Sequence, residues 1–401
     1  MKKVYIVAAR RTAIGKFMGS LSSFSSGEIG AIVIKEIIKE TGINPANVDS
    51  VIAGNILSAG QMQGVARQAS IKAGIPQEVP AYSLNMVCGS GMKAVMNGYA
   101  EILSGAAEVI IAGGTESMSN AGFVLHGSVR NGIKMGNIQA VDHMVCDGLT
   151  DAFNNYHMGI TAENIAEKYG ITREEQDAFS YISQQKAIAA VDSGAFSTEI
   201  VPVSIVSKKE TIIFDKDEYP NRASTVDKLA SLKPAFKKEG TVTAGNASGV
   251  NDGASFVMLA SEDAVKNYNL KPIAEIVSVG QGGVDPAIMG MGPVPAIRMA
   301  LKNAGMKLSE IDLIELNEAF AAQSLGVIKE ITSEHNVTRE WIDQRCNING
   351  GAIALGHPIG ASGNRIIVSL VHELKTTGKK FGLASLCIGG GMGTAIIVKS
   401  V

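Results

Sequence analysis

The sequence predicts an α/β protein made of two similar halves, each a parallel-rich sheet covered by helices, with a long insert belonging to the first half. Three observations carry this expectation. A chain of 401 residues exceeds what one hydrophobic core usually organises. Strand-like and helical stretches alternate at lengths suited to βαβ units. The same order of stretches also occurs twice, which bears on every later assignment.

The first copy opens on the apolar strand Val4 to Ala8, followed by a helical stretch whose Ile29, Ile32, Val33 and Ile37 share one face. Val48 to Asn55 reads as the next strand. The second copy repeats this with Ile273 to Val279, a helix through Pro295 to Asn303, and Ile311 to Asn317. In each copy a glycine-bracketed turn then opens a helix. Cys88-Gly89-Ser90-Gly91 leads into Met92, Val95, Met96, Tyr99 and Leu103, and Gly360-Ala361-Ser362-Gly363 into Ile366, Ile367, Leu370, Val371 and Leu374. Each copy closes on an apolar strand running into glycines, Glu108 to Gly114 and Leu383 to Gly391. The offset between matching points grows slowly from Asp49/Asp312 through Ser90/Ser362 to Gly113/Gly389, as small loop insertions would produce.

These features divide the chain into 1–119, the first part of the N-terminal half; 120–250, an inserted loop domain whose end returns to that half; 251–270, a connecting segment; and 271–401, the C-terminal half. Within the insert, Thr172 and Glu175 form a capping-box pattern that starts a helix.

Apolar residues make up 46% and charged residues 18%, a balance suited to a compact fold with little disordered tail. A net charge of −2 with no run of like charges weighs against a nucleic-acid partner or a polybasic membrane surface and leaves a small-molecule substrate. No apolar run reaches the roughly 18 residues of a membrane span. The chain enters its first strand almost at once and ends on Lys399-Ser400-Val401, so neither a leader nor a peroxisomal address is expected, and the expected location is cytoplasmic. Four cysteines without metal-ligand spacing fit a reducing compartment.

Cys88 stands between a strand and a helix in Asn85-Met86-Val87-Cys88-Gly89-Ser90-Gly91. A helix N-terminus stabilises a thiolate, and neighbouring glycines permit a sharp turn like a nucleophile elbow; a small buried core residue is the other reading. His357, in Gly356-His357-Pro358-Ile359-Gly360, occupies the matching turn of the second half. It is either a base aimed at Cys88 or a hydrogen-bonded loop histidine. Cys387 ends the last apolar strand before Gly389-Gly390-Gly391, where backbone N–H groups could surround an oxyanion, unless it is ordinary core. The Thr394 to Val398 run after it predicts a tight hairpin. Asn317-Glu318 also lies at a strand end, and Asn317 could orient a water; the alternative is a turn-forming Asn and a helix-starting Glu. Cys146 and Cys346 have no such setting and read as structural.

Taken together, Asn85 to Gly91, Asn317-Glu318-Ala319-Phe320, Asn349-Gly350-Gly351-Ala352 through Gly363, and Cys387 to Gly391 resemble the thiolase family in order and over essentially the whole chain. The resemblance implies a duplicated βαβαβαββ architecture in a five-layered αβαβα core. It also implies a ping-pong acyltransferase, the biosynthetic acetyl-CoA C-acetyltransferase type, that converts two acetyl-CoA to acetoacetyl-CoA and CoA by Claisen condensation. Cys88 would be the nucleophile, His357 its activator and Cys387 the acid/base. One oxyanion site would be His357 with an Asn317-held water, the other the backbone N–H groups of Cys88 and Gly389. No metal, and no cofactor beyond the substrate coenzyme A, is implied. Tyr156-His157-Met158-Gly159, Pro234-Ala235-Phe236 and Ala244 to Gly249 match the family's CoA-binding region. By that likeness Leu149, His157, Met158, Ala235, Phe236, Ala244, Ser248, Met289, Ala319 and Phe320 would line the pantetheine and acyl pocket, with Met158 of the short-chain type. Where the family often has an arginine for the nucleotide end, this chain has Asn221 and then Arg222. Family precedent further implies a homotetramer, a dimer of dimers, with the glycine-rich stretch near 120–145 as a contact. A degradative 3-ketoacyl-CoA thiolase and a non-catalytic acyl-CoA carrier are the alternatives on the same fold.

Overall fold

The alternating apolar stretches fold as the duplication predicts. The structure, a computed structural model, describes residues 2–207 and 210–401. The first half runs β1 (Val4–Thr12), α1 (Ser26–Thr41), β2 (Ser50–Gly54), α2 (Val65–Lys72), β3 (Ala81–Leu84), α3 (Ser90–Ser104) and β4 (Val109–Ser117). The insert carries α4 (Met158–Tyr169) and α5 (Arg173–Ser193), and the chain then returns as β5 (Asn251–Ser261). The second half runs β6 (Ala274–Gly283), α6 (Pro293–Ala304), β7 (Leu313–Leu316), α7 (Ala321–His335), α8 (Ile359–Thr377), β8 (Phe381–Ile388) and β9 (Met392–Ser400). The Thr172–Glu175 capping box starts α5 as its spacing requires.

Hydrogen bonding links the strands in the order β7-β8-β9-β6-β1-β5-β4-β2-β3, so each half presents its strands in the same sequence on either side of the β1–β6 seam. At that seam Tyr5 faces Glu275 and Ile6 faces Ala274. The halves are mixed rather than parallel-rich. β2 is parallel to β3 and β4, and β7 to β8, but β5 is antiparallel to both β1 and β4, and β9 to both β6 and β8. The reason is the last strand of each half. β9 follows β8 through the hairpin expected at the glycines, and a turn that short joins only antiparallel neighbours.

One boundary read from the sequence shifts, and one strand of the first half has only a vestige in the second. The expected connecting segment 251–270 holds β5, buried along its whole length between β1 and β4; only the short helix Glu262–Asn267 and the loop after it connect the halves. The second-half counterpart of β3 is reduced to a bridge between Ile314 and Cys346.

Alternation along the strands fills three separate cores. Val109 and Ile111 of β4 meet Ile29, Val33 and Ile37 of α1, whereas Ile110 and Ala112 meet Met92 and Val95 of α3 and Ile366 and Leu370 of α8. In β8, Leu383 and Cys387 turn towards Ile297 and Ile331 of α6 and α7, and Ala384 and Leu386 towards the α3–α8 core. The result is a helix–sheet–helix–sheet–helix stack with α3 and α8 in the middle. Among the described residues no helix is long and apolar enough to cross a membrane.

The central layer is held tight by absent side chains. A β-carbon on Gly114 of β4 would lie 1.9 Å from the Gly360 carbonyl oxygen, and one on Gly91 would lie 2.9 Å from the Asn364 nitrogen. Gly114→Ala is therefore expected to lower stability by at least ~2 kcal/mol through overpacking, measured by urea unfolding. Gly122→Ala, whose β-carbon has its nearest neighbour at 4.0 Å, should change it little.

Candidate active site

The first turn is built where β3 ends and α3 begins. The Asn85 side chain accepts from Val87 N at 2.9 Å, and Ser90 Oγ accepts from Met86 N at 2.8 Å while donating to Val87 O at 2.6 Å. These bonds hold Val87 at φ +44°, an unfavourable conformation for a β-branched residue. The strain of the elbow therefore lies at Val87, not at the glycine beside the cysteine as expected: Gly89 has φ −76°. Gly89 is needed for packing instead, because a β-carbon there would fall 2.2 Å from Ile388 Cδ1 of the second half.

The second turn joins the short helix Ala352–Leu355 to α8. Asn251 Oδ1 accepts from His357 N at 2.9 Å. His357 Nδ1 lies 2.6 Å from Ser362 Oγ, which donates to Pro358 O at 2.9 Å. Nε2 of the buried His357 has no protein partner.

Both turns and the end of β8 open on one cavity of about 320 Å³, lined by Cys88, His357, Cys387 and Gly389 together with Leu149, His157, Met158, Ala235, Phe236, Ala244, Ser248, Met289, Ala319 and Phe320. Every residue expected from the sequence is thus brought together here except Asn317 and Arg222. Asn317 is buried at the end of β7, and neither atom of its side-chain amide has a protein partner. Buried amides are normally satisfied, so its surroundings suit an ordered water. Arg222 lies outside: Asp192 holds it at the exposed surface through contacts of 2.9 and 2.5 Å.

The wall is ordered by aromatic contacts. His157 caps α4 by accepting from Gly159 N at 3.0 Å and stacks on Phe236 with centroids 4.5 Å apart; Phe236 meets Phe320 edge-on at 6.3 Å. A β-carbon on Gly159 would enter the Phe236 ring. Beyond Tyr219 and Ala244, which belong to both spaces, a wider cleft of about 750 Å³ continues outward past Lys16, Asn221, Ser224 and Lys228.

Burial keeps the reacting groups neutral. It pushes the Cys88 thiol up to about 11, although the N–H groups of Gly389 and Cys88 itself, which face the sulfur, pull it down. The expected thiolate stabilisation by the helix end is outweighed by desolvation. Burial, and then the neighbouring Cys88, raise the Cys387 thiol. Burial lowers His357 to about 4, assisted by the Arg365 charge.

Sequence reasoning missed two acids. Glu116, buried at the end of β4, accepts from Asn55 Nδ2 (2.8 Å), Ile56 N (3.0 Å) and Leu57 N (3.1 Å) and faces the Gly360 N–H. Burial raises it to about 8. Glu318 is not a helix-starting residue, because α7 begins at Ala321. It is buried and accepts from Ser183 Oγ (2.6 Å), Asn347 Nδ2 (2.8 Å) and Ile353 N (3.3 Å), which tie α5 to the loop leading to His357. Glu116 sits in no recognisable pattern, and Glu318, although part of the Asn317-Glu318-Ala319-Phe320 motif, reads there only as a helix start; the fold alone reveals their partners. Cys346 is buried, as a structural role requires, but Cys146 is exposed in the π-helical turn Met144–Gly148 and packs nothing.

The His357 shift gives acid sensitivity a definite sign. The unfolded chain takes up this proton near pH 6.5 and the folded chain only near about 4, so the stability is present above ~6.5 and lost as pH falls through that window, up to ~3 kcal/mol. Urea midpoints at pH 7 and pH 4.5 should fall less for His357→Gln than for wild type. The raised Glu116 acts oppositely: its contribution is present below 4.5 and lost as pH rises through about 8.

Comparison with known proteins gives the same picture. Residues 4–263 match the thiolase N-terminal domain and residues 270–400 the thiolase C-terminal domain. The chain is 56% identical over 397 residues to an acetyl-CoA acetyltransferase of Pseudomonas aeruginosa, covering 99% of each. Among solved structures, a Bacillus anthracis acetyl-CoA acetyltransferase matches with a TM-score of 0.95 at 44% identity, over 100% of this chain and 99% of that one. Human mitochondrial 3-ketoacyl-CoA thiolase matches with 0.94 at 44% identity over the same shares. With the duplicated fold, both glycine-bracketed turns and matches along nearly all its length, the chain belongs to the thiolase family.

Proposed function

We propose that the protein is an acetyl-CoA C-acetyltransferase, a transferase that condenses two acetyl-CoA to acetoacetyl-CoA and CoA and runs the reverse thiolysis. The observation that carries this reading is the convergence of two thiols and a neutral imidazole at the inner end of one apolar cavity that widens into a polar cleft. Relatives named acetyl-CoA acetyltransferase at 52 to 56% identity support it.

In this reading His357 Nε2 takes the Cys88 proton, and the sulfur attacks the thioester carbon of acetyl-CoA. The tetrahedral oxyanion so formed on the Cys88-bound carbon accepts from the N–H groups of Cys88 and Gly389, the pair that faces the Cys88 sulfur. CoA leaves as the thiol, its sulfur taking the Cys387 proton, and acetyl-Cys88 remains with Cys387 as thiolate. A second acetyl-CoA then enters. The Cys387 thiolate removes a methyl proton, and the enolate oxygen accepts from His357 and the Asn317-held water. The enolate carbon attacks the acetyl carbon, the new oxyanion again accepting from the Cys88 and Gly389 N–H groups, and the Cys88–acyl bond breaks to release acetoacetyl-CoA as Cys88 takes back the proton held by His357. The high pKa that keeps Cys387 protonated as an acid makes its thiolate a strong base for a carbon acid. No cofactor beyond the substrate CoA enters these steps.

The acyl and pantetheine parts would lie along Leu149, His157, Met158, Ala235, Phe236, Ala244, Ser248, Met289, Ala319 and Phe320, and the nucleotide end in the outer cleft. Arg222 stands between Asn221 and Ala223, which line that cleft, and its exposed pair with Asp192 is weak enough to be exchanged for a phosphate. A reducing cytoplasm would keep the four cysteines in the free state seen here. The hairpin of Phe123–Leu125 and Ala140–Asp142 exposes Phe123, Leu125, Met135 and Ile138, which suits a contact between dimers in a homotetramer.

Steady-state rates with acetoacetyl-CoA plus CoA should exceed those with a longer 3-ketoacyl-CoA, and Cys88→Ala and Cys387→Ala should each lose at least ~10³-fold in kcat. Preference for the longer chain would make the enzyme degradative; absence of activity would revive the carrier. Sedimentation of Phe123→Asp should show dimers where wild type shows tetramers.

A further inference from the structure

The duplication places a serine at the same point of both catalytic turns, Ser90 at the start of α3 and Ser362 in the first turn of α8. Both are buried, and both hydroxyls make the same pair of bonds. Ser90 Oγ donates to Val87 O and accepts from Met86 N; Ser362 Oγ donates to Pro358 O and meets His357 Nδ1. In the first turn the accepted proton comes from a backbone amide. In the second it has been exchanged for one on an imidazole.

A serine hydroxyl carries one proton. With that proton committed to the Pro358 carbonyl at 2.9 Å, Ser362 Oγ can only accept at the 2.6 Å contact with His357. The proton of the neutral ring must then sit on Nδ1, which leaves the Nε2 lone pair facing the cavity without a protein partner. A buried imidazole whose other nitrogen is fixed this way is a base in one orientation only.

We propose that Ser362 is a positioning residue that holds His357 in its Nδ1–H tautomer, and so makes Nε2 the base that receives the Cys88 proton. Ser362 stands where a carboxylate stands in a Ser-His-Asp triad, but it is neutral. It orients the ring without stabilising an imidazolium, so the proton taken from Cys88 remains easy to return when Cys88 is released. The backbone of the same loop is also held by the Asn251 contact to His357 N, so the loop keeps this anchor when the hydroxyl and its bond to Pro358 O are removed.

This inference rests on His357 acting as the base for Cys88, and the experiment separates the two. Alkylation of Cys88 by iodoacetamide is followed from pH 5 to 10 in wild type, Ser362→Ala, Ser362→Thr and His357→Ala, with steady-state kinetics and thermal unfolding of each. Ser362→Ala is expected to slow alkylation near neutral pH by ~10-fold and to lower kcat by ~10²-fold with KM within about 2-fold, while Ser362→Thr recovers most of both. If His357→Ala alkylates like wild type, the role of His357 fails, and this inference with it. If His357→Ala is slow but Ser362→Ala matches wild type in alkylation and kcat, or changes only in thermal stability, Ser362 is structural and the inference alone is overturned. Nitrogen-15 shifts of His357 that report an Nε2–H tautomer in wild type would overturn it without any variant.

Discussion

Helices α3 and α8 approach so closely that Gly91 and Gly363 have no room for a β-carbon against the facing backbone, and this contact sets the separation of the turns that precede them. Cys88 and His357 enter one cavity because each sits just before the first residues of one of these two helices. Glu116 reinforces the arrangement. Its carboxylate gathers N–H donors from the loop after β2 and from Gly360, so an acid of the first half holds a turn of the second. A buried carboxylate surrounded only by donors has its lone pairs satisfied when ionised, which opposes the upward push of burial.

The same tight packing determines the electrostatics. Cys387 and His357 are buried and Cys88 is partly so, and each shifts towards its neutral form. A resting site without a standing thiolate–imidazolium pair avoids the large cost of two desolvated charges. The Gly389 and Cys88 amides already point at the Cys88 sulfur, and such preorganised donors are strongest in a low-dielectric pocket. Farther back, Arg365 pairs with Glu315 at 3.1 Å, both buried. Its positive charge adds to the depression of His357, so an ion pair of the second half helps to keep this imidazole neutral.

The insert supplies the remaining wall. α4 brings His157 and Met158 to the cavity through its N-terminus, and α5 is tied to the His357 loop by Ser183 and Glu318. The two turns therefore come from the duplicated core, and the wall from the segment that has no duplicate together with Met289, Ala319 and Phe320 of the second half.

Much of this was legible in the sequence because it rests on local pattern. Periodicity marked the strands and helices, the repeated order of motifs marked the two halves, and glycine-bracketed turns marked Cys88 and His357. What the sequence could not decide depends on which distant residues meet. β5 looked like a linker because a strand buried on both faces has no alternating pattern to distinguish it. Gly89 looked like the hinge of a turn, yet Val87 bears the positive φ and Gly89 makes room for Ile388. The partner of Arg222 in the free protein, Asp192, is 30 residues away along the chain and follows from the fold alone. The residue types at the two turns set the reaction that is possible. The ionisation of those residues, the tautomer of His357 and the partners of Glu116 and Glu318 follow from burial and long-range contact, which exist only once the halves have packed together.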